Sequence, residues 1–95
     1  MELFVQRGRF SRLIEAISSK PAFLGIGLGE DTAVLLKNGI LETVGSNLVC
    51  IIDGKNIRKN TYKSIPAGRA ICIENINVHI LAKGHKFNLE SRKIL

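Results

Sequence analysis

The chain has 95 residues, 45% of them hydrophobic and 23% charged, so it is too short for two domains and too apolar for a disordered protein. Its 14 lysines and arginines exceed its 8 aspartates and glutamates, and the net charge of +6 favours an acidic partner. Scattered basic residues and few aromatics argue against nucleic acid as that partner. Without a long apolar run or a signal-peptide pattern, the chain is expected to have no membrane span and to be cytoplasmic.

The first predicted element is a helix that starts near residue 10. Apolar side chains recur at i, i+3, i+4 and i+7 and form one stripe, which consists of Phe10, Leu13, Ile14 and Ile17. Ser11 or its neighbour is expected to cap the start, and Lys20-Pro21 to end the helix.

Three arginines crowd the beginning of this helix. Arg7 is placed in the preceding loop, whereas Arg9 and Arg12 lie off the apolar stripe. A guanidinium offers a planar fork of donors, so the cluster suits recognition of carboxylate or phosphate groups. The alternative is a solvated helix face, which charge runs usually form.

A continuously apolar run covers residues 22–28 and has the pattern of a strand buried on both faces. Such a strand needs cover on two sides, and one short helix supplies only one. We therefore expect either that the chain forms a homo-oligomer or that it is the remainder of a larger α/β domain.

Short strands fill the rest of the chain. Residues 32–36 and 40–44 flank Lys37-Asn38-Gly39, a strong hairpin signal. The further expectations are a strand at 47–52 ended by Asp53-Gly54, a loop at 55–63, a turn at 66–68, one or two strands within 70–82 ended by Lys83-Gly84, and a tail. Cys50 and Cys72 lie in apolar runs and are predicted to be buried free thiols in a reducing compartment.

Most catalytic motifs are missing from the sequence. Ser46 is followed by a strand rather than a helix, so it is interpreted as a turn residue and not as a nucleophile elbow. His79 and His85 have no partner at ligand spacing, and neither a metal nor another cofactor is predicted. The glycines of residues 25–29 sit within and after a strand with no helix behind them, which argues against a dinucleotide loop.

Two acids, Glu30 and Asp31, follow the buried strand. A carboxylate at a strand end can orient an imidazole and stabilise its charged form, the third role in a nucleophile, base and acid triad. The alternative is that one of these acids only caps the turn.

The two segments that carry these residues resemble the C-terminal part of cyanophycinase. The resemblance rests mainly on residues 7–13 (RGRFSRL) and 24–33 (LGIGLGEDTA), and more weakly on residues 44–46, 49–54 and 77–81. It covers nearly the whole chain, which is therefore expected to be one partial domain, 1–95. It implies the C-terminal portion of a flavodoxin-like or class I glutamine amidotransferase-like α/β fold, with one N-terminal helix and then mostly short strands.

The same resemblance implies a serine peptidase related to the dipeptidase E group, which releases β-aspartyl-arginine dipeptides from the polymer cyanophycin. It assigns Arg7, Arg9 and Arg12 to the substrate pocket and Glu30 to the acid of the triad. The family's Asp-Gln-His-Phe, which contains the histidine base, is replaced here by Met1-Glu2-Leu3-Phe4, and the nucleophile would lie upstream. We therefore expect the chain alone to be inactive, and keep a noncatalytic anion-binding or assembly module as the alternative.

Overall fold

The computed structural model describes residues 3–7, 10–61 and 71–95. Arg9 and the predicted turn at 66–68 lie outside these ranges, and so does the Phe10 side chain. One helix and ten strands follow in this order: β1 (Leu3–Arg7), α1 (Phe10–Ser19), β2 (Leu24–Leu28), β3 (Thr32–Lys37), β4 (Ile40–Gly45), β5 (Val49–Asp53), β6 (Lys59–Asn60), β7 (Ile73–Glu74), β8 (Asn77–Leu81), β9 (Lys86–Asn88) and β10 (Lys93–Ile94).

The first sheet has the strand order β1-β2-β5-β8. Strands β1 and β2 are parallel and are connected through α1, whereas β5 and β8 run antiparallel to their neighbours. The described residues thus form an α/β fold with one helix and mostly short strands, as predicted. The placement of Arg7 in a loop was wrong, because backbone pairing with β2 extends β1 up to that residue.

Helix α1 covers one face of this sheet. Leu13 and Ile17 are buried against Cys50 and Ile52 of β5. Gly25 allows the close approach, because a Cβ there would lie 3.0 Å from Leu13 Cδ1. The helix ends at Ser19, just before Lys20-Pro21 as expected, but Ser11 lies inside the helix and not at its cap.

A second sheet, with the order β10-β9-β4-β3, covers the other face. Its Leu41 and Phe87 join Ile26 and Ile51 of the first sheet in one buried cluster. Strand β2 is therefore buried on both faces, as predicted. Because the chain's own second sheet provides the missing cover, the burial of β2 by itself requires no partner.

The predicted hairpin is confirmed as β3 and β4. Asn38 and Gly39 have φ angles of 51° and 75°, as the mirror-image turn of a two-residue hairpin requires. The predicted tail, in contrast, is wrong: β9 and β10 pair with each other, and Phe87 is 0% exposed. Phe87 and Leu89 are both buried, but two alternating apolar residues among charged and polar ones are too short a pattern to predict a strand.

The two cysteines differ in environment. Cys50 is buried as predicted, and desolvation raises the pKa of its thiol. Cys72 is exposed, contrary to the prediction, because it lies beside the two-stranded ribbon of β6 and β7 and not in either core cluster. Within the described ranges no helix has the length and apolarity needed to cross a membrane.

Candidate functional site

Arg7 and Glu30 lie where the two parallel strands end. Arg7 pairs with Leu28, so both strands finish at the same edge of the sheet. Helix α1, with Arg12 in its first turn, starts just after β1, and Glu30 follows β2. We call this region, made of Arg7, Arg12 and residues 29–32, the carboxyl edge. Crevices at the carboxyl ends of parallel strands are the usual ligand sites of open α/β sheets.

Arg7 bonds the backbone of the turn that carries Glu30. Its Nη1 donates to the carbonyl oxygen of Gly29 at 2.9 Å, and its Nη2 donates to that of Thr32 at 3.0 Å. The two acceptors lie on either side of Glu30 in the sequence. The guanidinium therefore links the end of β1 to both ends of this turn.

Thr32 is the polar centre of the turn and is only 3% exposed. Its hydroxyl donates to the carbonyl oxygen of Glu30 at 2.8 Å and accepts from the backbone N–H of Asn47 at 3.1 Å. One buried hydroxyl thus closes the turn and attaches it to the loop that precedes β5. Sequence reasoning missed this role, although a threonine two residues after the turn acid is a recognisable local capping pattern.

Backbone contacts complete the attachment of the two loops. The N–H of Gly29 donates to the carbonyl oxygen of Leu48, and the N–H of Ser46 donates to the carbonyl oxygen of Asp31. Ser46 is thus a loop residue, as predicted. Gly45 makes the approach feasible, since its φ is 107° and a Cβ there would collide with the carbonyl oxygen of Asp31.

The side chain of Glu30 is exposed at the top of this fixed turn. Its carboxylate has no hydrogen bond or ion pair with any other described residue. Among the described residues, the side-chain hydrogen bond that closes this turn comes from the Thr32 hydroxyl. The arrangement therefore combines a bonded turn with a carboxylate that is exposed to solvent.

Arg12 is also exposed. It lies in the first turn of α1, which contains no acidic residue, and no described carboxylate pairs with it. The positive end of the helix dipole adds to its charge. The carboxyl edge therefore combines an exposed cation with an exposed carboxylate.

Neither histidine joins this site as a base. The His79 ring packs against Phe87 with centroids 5.4 Å apart, and His85 is exposed in the turn before β9. No hydrogen bond connects either ring to Glu30 or to a serine among the residues described. The same part of the chain contains no cluster of three histidines, cysteines or acids that could hold a metal ion.

An ion pair at the other end of the sheet was not predicted. Arg92 Nη1 donates to Asp53 Oδ1 at 2.6 Å, and Nη2 donates to the carbonyl oxygen of Ala22 at 3.1 Å. The same Asp53 oxygen accepts from the Lys55 N–H. We call Ala22, Asp53 and Arg92 the opposite edge. The partners are 39 residues apart, so no local pattern indicates the pair.

The fold and this edge define an α/β unit that holds an exposed carboxylate beside arginines. No family model matches the chain. It is 34% identical over 92 residues to the cyanophycinase of Synechococcus elongatus. The aligned region covers 96% of this chain and 29% of that protein. For Trichormus variabilis cyanophycinase the identity is 36% over 93 residues, covering 97% of this chain and 31% of the relative. For Geminocystis herdmanii cyanophycinase it is 34% over 91 residues, covering 95% and 34%.

The resemblance to cyanophycinase is therefore confirmed over nearly the whole chain. The chain spans about a third of the length of the curated relatives it matches.

Proposed function

We propose that this chain forms part of a cyanophycinase-like serine peptidase, in which it supplies the acid of the catalytic triad and an arginine pocket for substrate carboxylates. The observation that carries the proposal is that Arg7 bonds the turn of the exposed Glu30 at the carboxyl edge, where the helix that carries Arg12 begins. The similarity to proteins named cyanophycinase supports cyanophycin as the substrate, with β-aspartyl-arginine dipeptides as the product.

Each proposed role follows from the chemistry of its side chain. Glu30 accepts a hydrogen bond from a histidine base and stabilises the imidazolium that forms when the base takes a proton from serine. Arg7, Arg9 and Arg12 provide guanidinium forks and positive charge for the carboxylates of the substrate. No cofactor enters this scheme.

The serine and the histidine would come from polypeptide equivalent to the remaining two-thirds of the relatives. Two observations support this: His79 packs on Phe87, and His85 makes no hydrogen bond to Glu30 among the described residues. The 95-residue chain alone is then expected to release no dipeptide. Triad residues act as a unit, so an enzyme without its serine and histidine loses most of its activity.

The finer fold assignment belongs to the same proposal. The unit β1-α1-β2 is the parallel crossover from which flavodoxin-like sheets are built, and we assign residues 1–95 to the C-terminal part of one such domain.

We also propose self-association, because Val78 and Ile80 are 49% and 54% exposed on the face of β8 that α1 leaves uncovered. A monomer in sedimentation would contradict it. Two free thiols favour a cytoplasmic setting.

The test is complementation. The purified chain is mixed with a polypeptide comprising the other two-thirds of the Trichormus variabilis relative, and β-aspartyl-arginine release from cyanophycin is measured. We expect activity only in the mixture, and a loss of about 10³-fold or more with Glu30→Gln. Arg58→Ala, at an exposed arginine away from the carboxyl edge, is the matched control. Hydrolysis by the chain alone, or full activity with Glu30→Gln, would refute the assignment.

Exposed Arg12, without a described carboxylate partner, also favours a second candidate, a noncatalytic anion-binding module. It predicts that the chain sediments with cyanophycin granules and that Arg12→Ala weakens this binding, while every mixture stays inactive. Loss of binding with rising salt would fit either candidate, so hydrolysis in the mixture decides between them.

A further inference from the structure

We propose that Arg7 is a positioning residue for Glu30: its guanidinium fixes the turn that presents the carboxylate and acts on the reaction through that turn. The inference rests on the proposed function, since it takes Glu30 as the acid of the triad. It refines the pocket assignment given above: Arg7 contributes positive charge but uses its fork on the turn, and direct contact with the substrate falls to Arg9 and Arg12.

Among the described residues, the Arg7 guanidinium donates to the backbone carbonyls of Gly29 and Thr32, at 2.9 and 3.0 Å. One lies directly before Glu30 and the other two residues after it, so the fork spans the segment that contains Glu30. Holding both ends of so short a segment restricts where the Glu30 side chain can point.

Only a guanidinium has the shape for this contact. Its two terminal nitrogens donate in one plane and in fixed directions, whereas an ammonium is a compact point donor. Hydrogen bonds from a charged donor are also stronger than neutral ones. An Arg7→Lys change keeps the charge but loses the simultaneous bonds to Gly29 and Thr32.

The rest of the turn depends on the same placement. Asp31 has a φ of 52°, a left-handed conformation that is uncommon for a residue with a side chain. Such backbone persists where surrounding contacts determine it. Within the turn, the Thr32 hydroxyl bonds the Glu30 carbonyl, and the Ser46 N–H bonds the Asp31 carbonyl. Arg7, at the end of β1, bonds the Thr32 carbonyl.

The first experiment uses the unmodified 95-residue chain and NMR of arginine side chains. Two bonded terminal nitrogens hinder rotation about the Cζ–Nη bonds of Arg7, so its Nη protons are expected to give separate signals at low temperature. Arg58, which is exposed, should give averaged signals under the same conditions. Averaged Arg7 signals would overturn the assignment.

The second experiment measures amide hydrogen exchange in Arg7→Lys, with Arg58→Lys as the matched control. The amides of Gly29, Ser46 and Asn47 connect the turn to the next loop. They should exchange about tenfold faster in Arg7→Lys, the effect of losing roughly one hydrogen bond to a charged donor, and stay unchanged in the control. The β5 amides should not respond in either variant. Unchanged exchange at the three turn amides would overturn the proposal.

The third experiment separates positioning from substrate binding. In the complemented mixture, Arg7→Lys is expected to lower kcat about tenfold with KM changed less than twofold, because it disturbs the acid and not the bound substrate. A raised KM at constant kcat would overturn the assignment in favour of direct binding. A mixture without activity would refute the proposed function, and the two NMR measurements would then decide the role of Arg7 alone.

Discussion

The two ends of the first sheet use arginine and carboxylate in opposite ways. At the opposite edge, Arg92 is bonded directly to Asp53, and both side chains are largely removed from solvent, at 15% and 5% exposure. At the carboxyl edge, Arg7 bonds backbone carbonyls around Glu30, whose own carboxylate is exposed and has no described partner. At one end a guanidinium thus bonds a carboxylate directly. At the other end, among the described residues, it bonds only the backbone beside an exposed carboxylate.

Under the proposed function, the difference separates a structural contact from a functional one. A buried carboxylate must be paired, since an unpaired charge in the interior is costly. An exposed carboxylate has no such requirement, so fixing its backbone while leaving its oxygens unbonded keeps it available for another molecule. For the two carboxylates, the contrast predicts a large effect on stability at Asp53 and an effect on activity at Glu30.

The largest effect on stability is expected for Arg92→Ala. The change leaves Asp53 buried without its cation and releases the contact with Ala22, so the free energy of unfolding should fall by about 3–5 kcal/mol. Urea denaturation followed by circular dichroism measures it. Arg58→Ala, at an exposed arginine, should change stability by less than about 0.5 kcal/mol. Equal effects of the two changes would contradict the role of the ion pair.

Next in size is Gly45→Ala, which acts on the carboxyl edge through its backbone. The added Cβ meets the carbonyl oxygen of Asp31, and the φ of 107° is unfavourable for alanine, so a loss of about 3 kcal/mol is expected. Gly39→Ala is the control, because it also has a positive φ but no atom within 4 Å of the added Cβ. A loss as small as that of the control would show that the two loops can separate without cost.

Two buried threonines offer a matched comparison of smaller size. Thr32→Val leaves the Asn47 N–H and the Glu30 carbonyl without their partner, which should cost about 2 kcal/mol. Thr43 is 0% exposed and its hydroxyl has no hydrogen-bond partner among the described residues, so Thr43→Val should be neutral or slightly stabilising. Thermal unfolding of both variants measures the difference. A costly Thr43→Val would indicate that its hydroxyl is satisfied in solution.

Local patterns predicted local structure well. The Asn-Gly hairpin, the end of α1 and the two-sided burial of β2 were all recognisable, because each depends on neighbouring residues. The segment after Lys83 was missed, because β9 joins the core through its pairing with the distant β4 and the burial of Phe87 against distant strands. β1 was missed for the same reason, since its few residues become a strand by pairing with β2.

The candidate site was predictable only in its residue types. Sequence reasoning selected the arginines and Glu30, and the structure brings Arg7, Arg12 and Glu30 to one edge. The sequence could not indicate that Arg7 bonds the Glu30 turn, because the donors and acceptors are 22 and 25 residues apart. Charge and spacing indicate that an anion or carboxylate is involved, whereas the direction of each hydrogen bond depends on the fold.

The smallest stability effect is expected for Glu30→Gln, and it bears most directly on the contrast between the two edges. The side chain is exposed and makes no hydrogen bond to a described residue, so its free energy of unfolding should change by less than about 0.5 kcal/mol. Asp53→Asn, the matched carboxylate-to-amide change, should cost several times more because Arg92 loses its counter-charge in a largely buried position. Urea denaturation of the two variants under one condition gives the comparison. A Glu30→Gln loss as large as that of Asp53→Asn would make Glu30 a structural acid, and the carboxyl edge would then lose the feature that identifies it as a site.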